Sequence, residues 1–283
     1  MSDQVMLPPG FEFSQASLQD YVDCKRRFQL KYLEGQPWPA VEVEPVLARE
    51  AYAEQGRRFH HLIERYYAGV PFEVLEASLG GNADLRRWWR ALLAEPPLNL
   101  PEGLRLPEVR LSIPLAGQRL VAVFDLLAID QGKRLVIVDW KTGRRLPRQW
   151  FDGRLQSMVY PFVAVEAGAR FFGGPVDPAR VTMVFWFADE AEQPHVFHYD
   201  ADRHEANRAY LEGLLREVVA REGGVLWPLV GDEAVCGFCE YRSLCGRGVA
   251  AAQIGDVAEY VNGAGLMVGD VELGLDVVDE VGY

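Results

Sequence analysis

The sequence predicts an α/β protein in which a mixed β-sheet is flanked by helices, with a helical segment ahead of the sheet. Three observations carry this. After residue 107 the patterned runs follow the order β-β-β-α-β, which suits a mixed sheet with helices packed on it. Before residue 107 the patterned segments read as helices separated by prolines. The 283 residues are 49% hydrophobic and 25% charged, a globular composition. A chain of this size buries about three quarters of its unfolded surface, so its core needs no disulfide staple.

The elements follow in order. Ser14 or Ser17 can cap a first helix running to about Leu33, with Ser17 and Asp20 spaced as a capping box. Pro37, Pro39 and Pro45 break the chain, and further helices fit Leu47–Tyr67 and Asp84–Ala94. Three β-like runs come next, Glu108–Pro114, Arg119–Ile129 and Arg134–Trp140. Gly117-Gln118 and Gln131-Gly132 supply the turns of an antiparallel meander. Asp152–Glu166 reads as an amphipathic helix, Val181–Phe187 and His195–Tyr199 as strands, and Asp202–Ala220 as a long helix. The organisation expected is one domain over residues 1–247, with a helical insertion at 37–107, and an acidic tail at 248–283.

The chain carries 41 acidic and 29 basic residues, a formal charge of −12. That balance excludes a protein that coats nucleic acid, or an anionic lipid surface, through bulk positive charge. The charge is unevenly placed. From Gly248 onward there are seven acids and no Lys or Arg, which leaves 34 acids against 29 bases in the body. Between Lys133 and Arg154 the sign reverses, with seven bases against Asp139 and Asp152. No basic n-region and apolar h-region opens the sequence, and Val121–Ile129, interrupted by Asp125, falls far short of the ~20 residues that span a bilayer. A cytoplasmic protein without a membrane partner is expected.

The segment VAVFDLLAIDQGKRLVIVDWKTG, residues 121–143, concentrates the chemistry. Asp125 lies within one apolar strand and Asp139 near the end of the next, where isolated carboxylates are costly unless paired, protonated or metal-bound. Adjacent strands can bring both to one end of a sheet, and Lys141, two residues beyond Asp139, points to the same face. Two hard oxygen ligands and one ammonium suit phosphodiester hydrolysis assisted by Mg²⁺ or Mn²⁺. Taken alone, Asp-X-Lys is better read as an ion pair between Asp139 and Lys141 at a strand end, because the pattern is common.

These residues resemble the PD-(D/E)xK nuclease superfamily, in particular its RecB-like branch. Asp125 is followed fourteen residues later by Asp139-Trp140-Lys141-Thr142-Gly143. Gly56-Arg57-Arg58-Phe59-His60 resembles the branch's G-x-x-x-H helix, and Gln156-Ser157-Met158-Val159-Tyr160 its Q-x-x-x-Y element. Ala122 stands where the family usually has glycine. The resemblance implies a restriction-endonuclease-like fold and a Mg²⁺ or Mn²⁺ site formed by His60, Asp125, Asp139 and the Trp140 carbonyl. It gives Lys141 a role at the attacking water and Gln156 and Tyr160 roles in positioning substrate. Glu108 corresponds to a glutamate often seen in the family, in a supporting or a rim position.

Cys236-x2-Cys239-x5-Cys245 and the distant Cys24 leave no cysteine over, which favours a closed metal site, zinc or iron–sulfur. Ser14, Ser17, Tyr21 and Cys24-Lys25-Arg26-Arg27-Phe28 resemble the N-terminal helix of AddB-type helicase-nucleases and of RecB-like nucleases associated with CRISPR systems. Lys25 replaces their usual proline. That resemblance implies a four-iron four-sulfur cluster on Cys24, Cys236, Cys239 and Cys245, with structural Zn²⁺ as the alternative.

Arg144, Arg145, Arg148 and Arg154 surround the site in sequence and are candidates to track DNA phosphates, whereas Trp88, Trp89 and Trp150 are expected in the core. The function expected is a metal-dependent DNA nuclease, an exonuclease on single-stranded DNA or DNA ends in repair, recombination or CRISPR adaptation. The alternative is a non-catalytic subunit that binds DNA or a partner within a helicase-nuclease or CRISPR integration complex. The sequence carries no phosphate-binding G-x-x-x-x-G-K-[ST] loop, so unwinding is expected from a helicase partner. The tail reads as solubilising, or as a DNA mimic over the basic groove.

Overall fold

The computed structural model describes residues 7–36, 44–142, 145–221 and 225–248. Arg144, Gly143 and the acidic tail beyond Gly248 lie outside the described residues. In chain order the elements are β1 (Glu12–Phe13), α1 (Gln15–Asp23), α2 (Lys25–Phe28) with a π-helical turn at Gln29–Leu33, α3 (Glu44–Tyr67), α4 (Phe72–Ser78) and α5 (Ala83–Ala94). They continue as β2 (Leu104–Leu115), β3 (Gln118–Asp130), β4 (Arg134–Lys141), α6 (Arg148–Asp152), α7 (Leu155–Ala167), α8 (Ala169–Phe172), β5 (Val181–Phe187), β6 (His195–His198) and α9 (Ala201–Val219). No helix among the described residues is long and apolar enough to cross a membrane.

The first helix is not continuous. Cys24 adopts extended backbone, φ −159° and ψ 111°, and caps α2. Its N–H still bonds the Asp20 carbonyl at 3.0 Å and its carbonyl receives the Phe28 N–H at 3.2 Å, so the break leaves neither group unpaired. The helix expected at Asp152–Glu166 is likewise two helices, with α7 starting at Leu155. The start of α5 is set by Asn82, whose side chain accepts the Leu85 N–H at 3.0 Å. β2 begins at Leu104, within the stretch expected to be a helical insertion. β1 and α4 were not anticipated from the pattern.

The meander is as expected. Ala116 and Gly117, both at positive φ (49° and 76°), form the two-residue turn that matches strand twist and join Leu115 to Gln118. β2 pairs antiparallel with β3 from Leu104↔Ile129 to Leu115↔Gln118, with the register skipping Glu108. The other edge of β3 is divided, with β1 parallel to it at Arg119–Leu120 and β4 antiparallel at Leu126–Asp130. β4 then pairs parallel with β5, and β5 antiparallel with β6. Among the described residues the sheet is therefore mixed and six-stranded.

The chain forms two compact units. One comprises Glu12–Gln15 and Glu54–Arg216 and holds the sheet. On one face, Phe59, Leu62, Trp88 and Leu92 from the helices cluster with Leu126, Val138, Trp140 and Trp186 from the strands. Trp88 and Trp89 are fully buried and Trp150 nearly so, as expected of core residues. α7 packs against β2, β3 and β5.

The other unit draws on the described residues 7–11, 16–36, 44–53, 217–221 and 225–248. Its described parts are joined by contacts between residues some two hundred positions apart. The buried Gln29 amide donates to the Val225 carbonyl at 2.7 Å and accepts the Trp227 N–H at 2.8 Å. Phe28 stacks on Trp227 at 5.9 Å. Tyr21 donates to Glu217 at 2.8 Å, and Lys25 pairs with the same carboxylate at 2.7 Å. Replacing Gln29 by Leu strands the buried Trp227 N–H and unties the Val225 carbonyl, so the variant should lose roughly 1–3 kcal/mol of stability, read from denaturant midpoints. A midpoint equal to wild type would show that the amide does not clasp these segments.

Candidate active site

The site forms where two strands part. In the register of Leu126↔Val138, Asp125 would face Asp139 and Phe124 would face Trp140, but the ladder stops at Leu126. β4 continues on β5 as far as Lys141↔Phe187. Released from β3, the Trp140 N–H donates to Asp125 Oδ2 at 2.8 Å. The alternation of β3 also breaks here. Phe124 packs on Tyr160 of α7, ring centroids 5.2 Å apart, while Leu126 joins the cluster beneath α3 and α5. Asp125 thus sits where the strand changes faces.

Opposite it in the β2–β3 register lies Glu108, between the pairs Pro107↔Leu126 and Val109↔Phe124. Glu108 has φ 47°, a left-handed conformation that costs a non-glycine residue of order 1 kcal/mol or more and tends to mark a functional constraint. That conformation interrupts β2 beside the site, and the Glu108 carboxylate reaches Asp125 and His60. Ligand atoms of His60, Glu108 and Asp125 all lie within 4.8 Å of one another.

His60 comes from α3. Gly56, one helical turn earlier, lies against the end of β4, where an added Cβ would sit 3.2 Å from Thr142 Oγ1. This close approach carries the imidazole to the fork. Nε2 donates to the Trp140 carbonyl at 2.9 Å and Nδ1 stands 3.6 Å from Asp125 Oδ2. Burial opposes charge on this ring, but Asp125, with Asp139 and Glu108, outweighs it and holds the imidazolium pKa up to about 9. Burial likewise opposes charge on Asp125, yet His60, the Trp140 N–H and Lys141 together keep its carboxyl below the ordinary range.

Asp139 belongs to a second set. Its Oδ1 accepts from Gln156 Nε2 at 2.5 Å and its Oδ2 pairs with Lys141 Nζ at 3.1 Å. Lys141 also donates to Gln156 Oε1 at 3.2 Å, so the three side chains close a ring. Asp139 and Gln156 are 2% and 6% exposed, which makes these polar bonds strong and their loss expensive. Tyr160, one turn beyond Gln156, is buried against Phe124.

The expected ligand set and the observed grouping therefore differ. His60 and Asp125 are together as expected, the third member of the close group is Glu108, and Asp139 is held by Lys141 and Gln156 instead. The Trp140 carbonyl accepts from His60. Sequence reasoning left Glu108 between two roles; its position across the register from Asp125 was the available signal.

Of the candidate arginines, Arg145 donates to the Gln193 carbonyl at 2.8 Å and Arg148 to the Val196 carbonyl at 2.6 Å. Arg154 lies over the Trp150 ring at 4.7 Å. In the other unit, Cys24, Cys236 and Cys239 are buried, Cys245 is partly exposed, and none forms a disulfide. Burial pushes the thiols of Cys236 and Cys245 up and that of Cys239 to about 11, with Arg27 and Arg247 partly offsetting the effect.

A family model of the PD-(D/E)XK nuclease superfamily matches residues 12–246. Among solved structures, a candidate exonuclease from Eubacterium rectale aligns with a TM-score of 0.50 and 11% identity over 89% of this chain and 93% of its own. The protein SSO0001 aligns with a TM-score of 0.38 and 11% identity over 84% of this chain and 87% of its own. No curated protein matches the chain in sequence. The similarity to the Eubacterium rectale structure is one of fold. The family match spans the strand fork, the helix that carries His60 and the four cysteines, and on that match the chain belongs to the PD-(D/E)XK nuclease superfamily.

Proposed function

We propose that the protein is a divalent-metal-dependent deoxyribonuclease of the RecB-like branch, an exonuclease acting on single-stranded DNA or DNA ends. The observation that carries this reading is the pairing of two sets. The His60–Glu108–Asp125 group has ligand atoms within 4.8 Å, and the closed Asp139–Lys141–Gln156 ring is built on the neighbouring strand. Two carboxylates and an imidazole are a donor set that Mg²⁺ or Mn²⁺ accepts. When bound, the cation supplies Lewis acidity toward a phosphate oxygen and lowers the pKa of water.

The chain's own groups do the rest. Lys141 presents an ammonium whose direction is set by Asp139 and Gln156, suited to phosphate oxygens that gain charge in the transition state. Asp139 keeps that ammonium at the fork and Gln156 fixes both. Arg154, at the head of α7, lies over the Trp150 ring and is proposed to meet a DNA phosphate.

The reading extends to the cysteines, for which we propose a four-iron four-sulfur cluster on Cys24, Cys236, Cys239 and Cys245. Buried thiols with raised pKa values ionise only beside a compensating cation, which a metal centre provides. Equal iron and acid-labile sulfide in anaerobically purified protein would support the cluster; zinc in their place would replace it.

The assay is degradation of end-labelled single- and double-stranded DNA with Mg²⁺ or Mn²⁺. Lys141→Ala should lower kcat by roughly 10²–10³-fold, the effect typical of losing one transition-state charge contact. Asp125→Asn should abolish cation-dependent activity. Equal activity in wild type and both variants would overturn the assignment, as would DNA binding without cleavage under either metal.

A second prediction concerns protons. A cation that ligates His60 must displace its proton, so below about pH 9 Mn²⁺ affinity should fall about tenfold per pH unit, with proton release seen by calorimetry in two buffers. The raised pKa also means that His60 stabilises the metal-free fold fully below its unfolded value, about 6.5, and that this contribution is lost as pH rises through about 9. His60→Gln should remove both dependences; their persistence would take His60 out of the site.

A further inference from the structure

We propose that His195 is a positioning residue that anchors residues 145–151 onto the β5–β6 hairpin, so that the side chains of Lys141 and Gln156 meet Asp139 in a working geometry. The inference rests on the nuclease reading above and concerns a residue on a strand outside the ligand group. His195 is 5% exposed and stands beside Phe185, which in turn stands beside Asp139 on β4. Its Nε2 donates to the Leu146 carbonyl at 2.7 Å, and its Nδ1 faces Arg145 at 3.4 Å. A carbonyl only accepts and a guanidinium only donates, so these neighbours select the neutral ring with its proton on Nε2. Burial, reinforced by Arg145 and Arg148, holds its pKa below the ordinary value and keeps the ring neutral.

The same segment is tied down at three further points. Arg145 donates to the Gln193 carbonyl. Arg148 donates to the Val196 carbonyl and lies over the Phe197 ring at 4.0 Å. Phe151 of α6 packs on Phe185 at 4.4 Å and on His195 at 5.4 Å. The chain from Leu146 to Phe151 is thus bonded to the hairpin before it enters α7, where Gln156 bonds both Lys141 and Asp139. Lys141 Nζ itself stands over the Phe185 ring at 5.8 Å. The hairpin therefore supports the segment at both ends. On this reading the cationic stretch after Lys141, which by charge alone suggests a phosphate-tracking surface, owes two of its arginines to holding the segment in place.

The test compares wild type with His195→Phe, which keeps the aromatic bulk but loses the N–H. It adds His195→Gln, which restores a donor, and Arg148→Met, an exposed change that spares folding. Hydrogen–deuterium exchange of residues 145–151 should accelerate in His195→Phe and Arg148→Met and return toward wild type in His195→Gln. In His195→Phe, kcat on end-labelled DNA should fall roughly 10- to 100-fold, the scale of an ångström-sized misplacement. KM and Mn²⁺ affinity should stay within about threefold of wild type, because substrate and cation contacts are untouched. Unchanged exchange in both donor-deleting variants would overturn the anchor, and faster exchange with unchanged kcat would overturn its positioning role. If His195→Phe does not fold, the Arg148→Met and His195→Gln comparison decides alone. A wild type that cleaves no DNA under either metal would sink the nuclease reading, while the exchange data would still judge the anchor.

Discussion

The hydrogen bond from the Trp140 N–H to Asp125 is the constraint on which the rest of the site depends. A buried residue must find partners for both its N–H and its C=O, and where β4 leaves β3 the ladder no longer supplies them. Asp125 takes the N–H and His60 takes the carbonyl of the same residue. The two backbone polar groups of one buried residue are therefore satisfied by two candidate ligand side chains. This fixes their separation to within a hydrogen bond of a rigid strand, whose Trp140 side chain is stacked on Tyr67 at 6.1 Å and met edge-on by Trp186 at 5.6 Å. The site is positioned by the backbone accounting that parts the strands.

From that fork the two carboxylates diverge. Asp125 turns toward α3 and is balanced by an imidazole; Asp139 turns toward α7 and is balanced by an ammonium and an amide. Glu108 adds a third negative charge. Exchanging one imidazolium proton for a divalent cation changes the local charge by a single unit, so the same residues can be electrostatically satisfied with the proton or with the metal. The arrangement suits a site that must exist before it is loaded, because neither state leaves a carboxylate cluster without a counter-charge.

Much of this was legible in the sequence, for identifiable reasons. Strands announced themselves through alternation and turn residues, and the Asp125…Asp139-x-Lys141 spacing survived because it is local to one hairpin. What escaped was set by backbone irregularity or by distance along the chain. The helix break at Cys24 has no proline or glycine to mark it, since Lys25 stands at the next position. Glu108 depends on a left-handed φ that a glutamate does not advertise. Gln29 acts through the carbonyl of residue 225 and His195 through that of residue 146, and neither carbonyl has a side-chain signature. Arg145 and Arg148 were read from charge, and charge does not say whether a guanidinium faces water, phosphate or a peptide carbonyl.

The cysteine-bearing unit shows the same logic at longer range. Residues 24–33 and 225–245 are brought together by the Gln29 amide, the Phe28–Trp227 stack and the Tyr21–Glu217–Lys25 cluster. Arg27, buried between Asp20 at 2.8 Å and Asp23 at 2.9 Å, adds a charged tie within the first segment. None of these contacts involves a sulfur atom, yet they belong to the unit in which Leu30 packs with Cys239 and Cys245. The metal centre proposed on the cysteines would bind between segments that these contacts already hold together. By the same argument the net charge of −12 says little about either site. Each is governed by the few charges that burial forces into contact, and solvent screens the remainder.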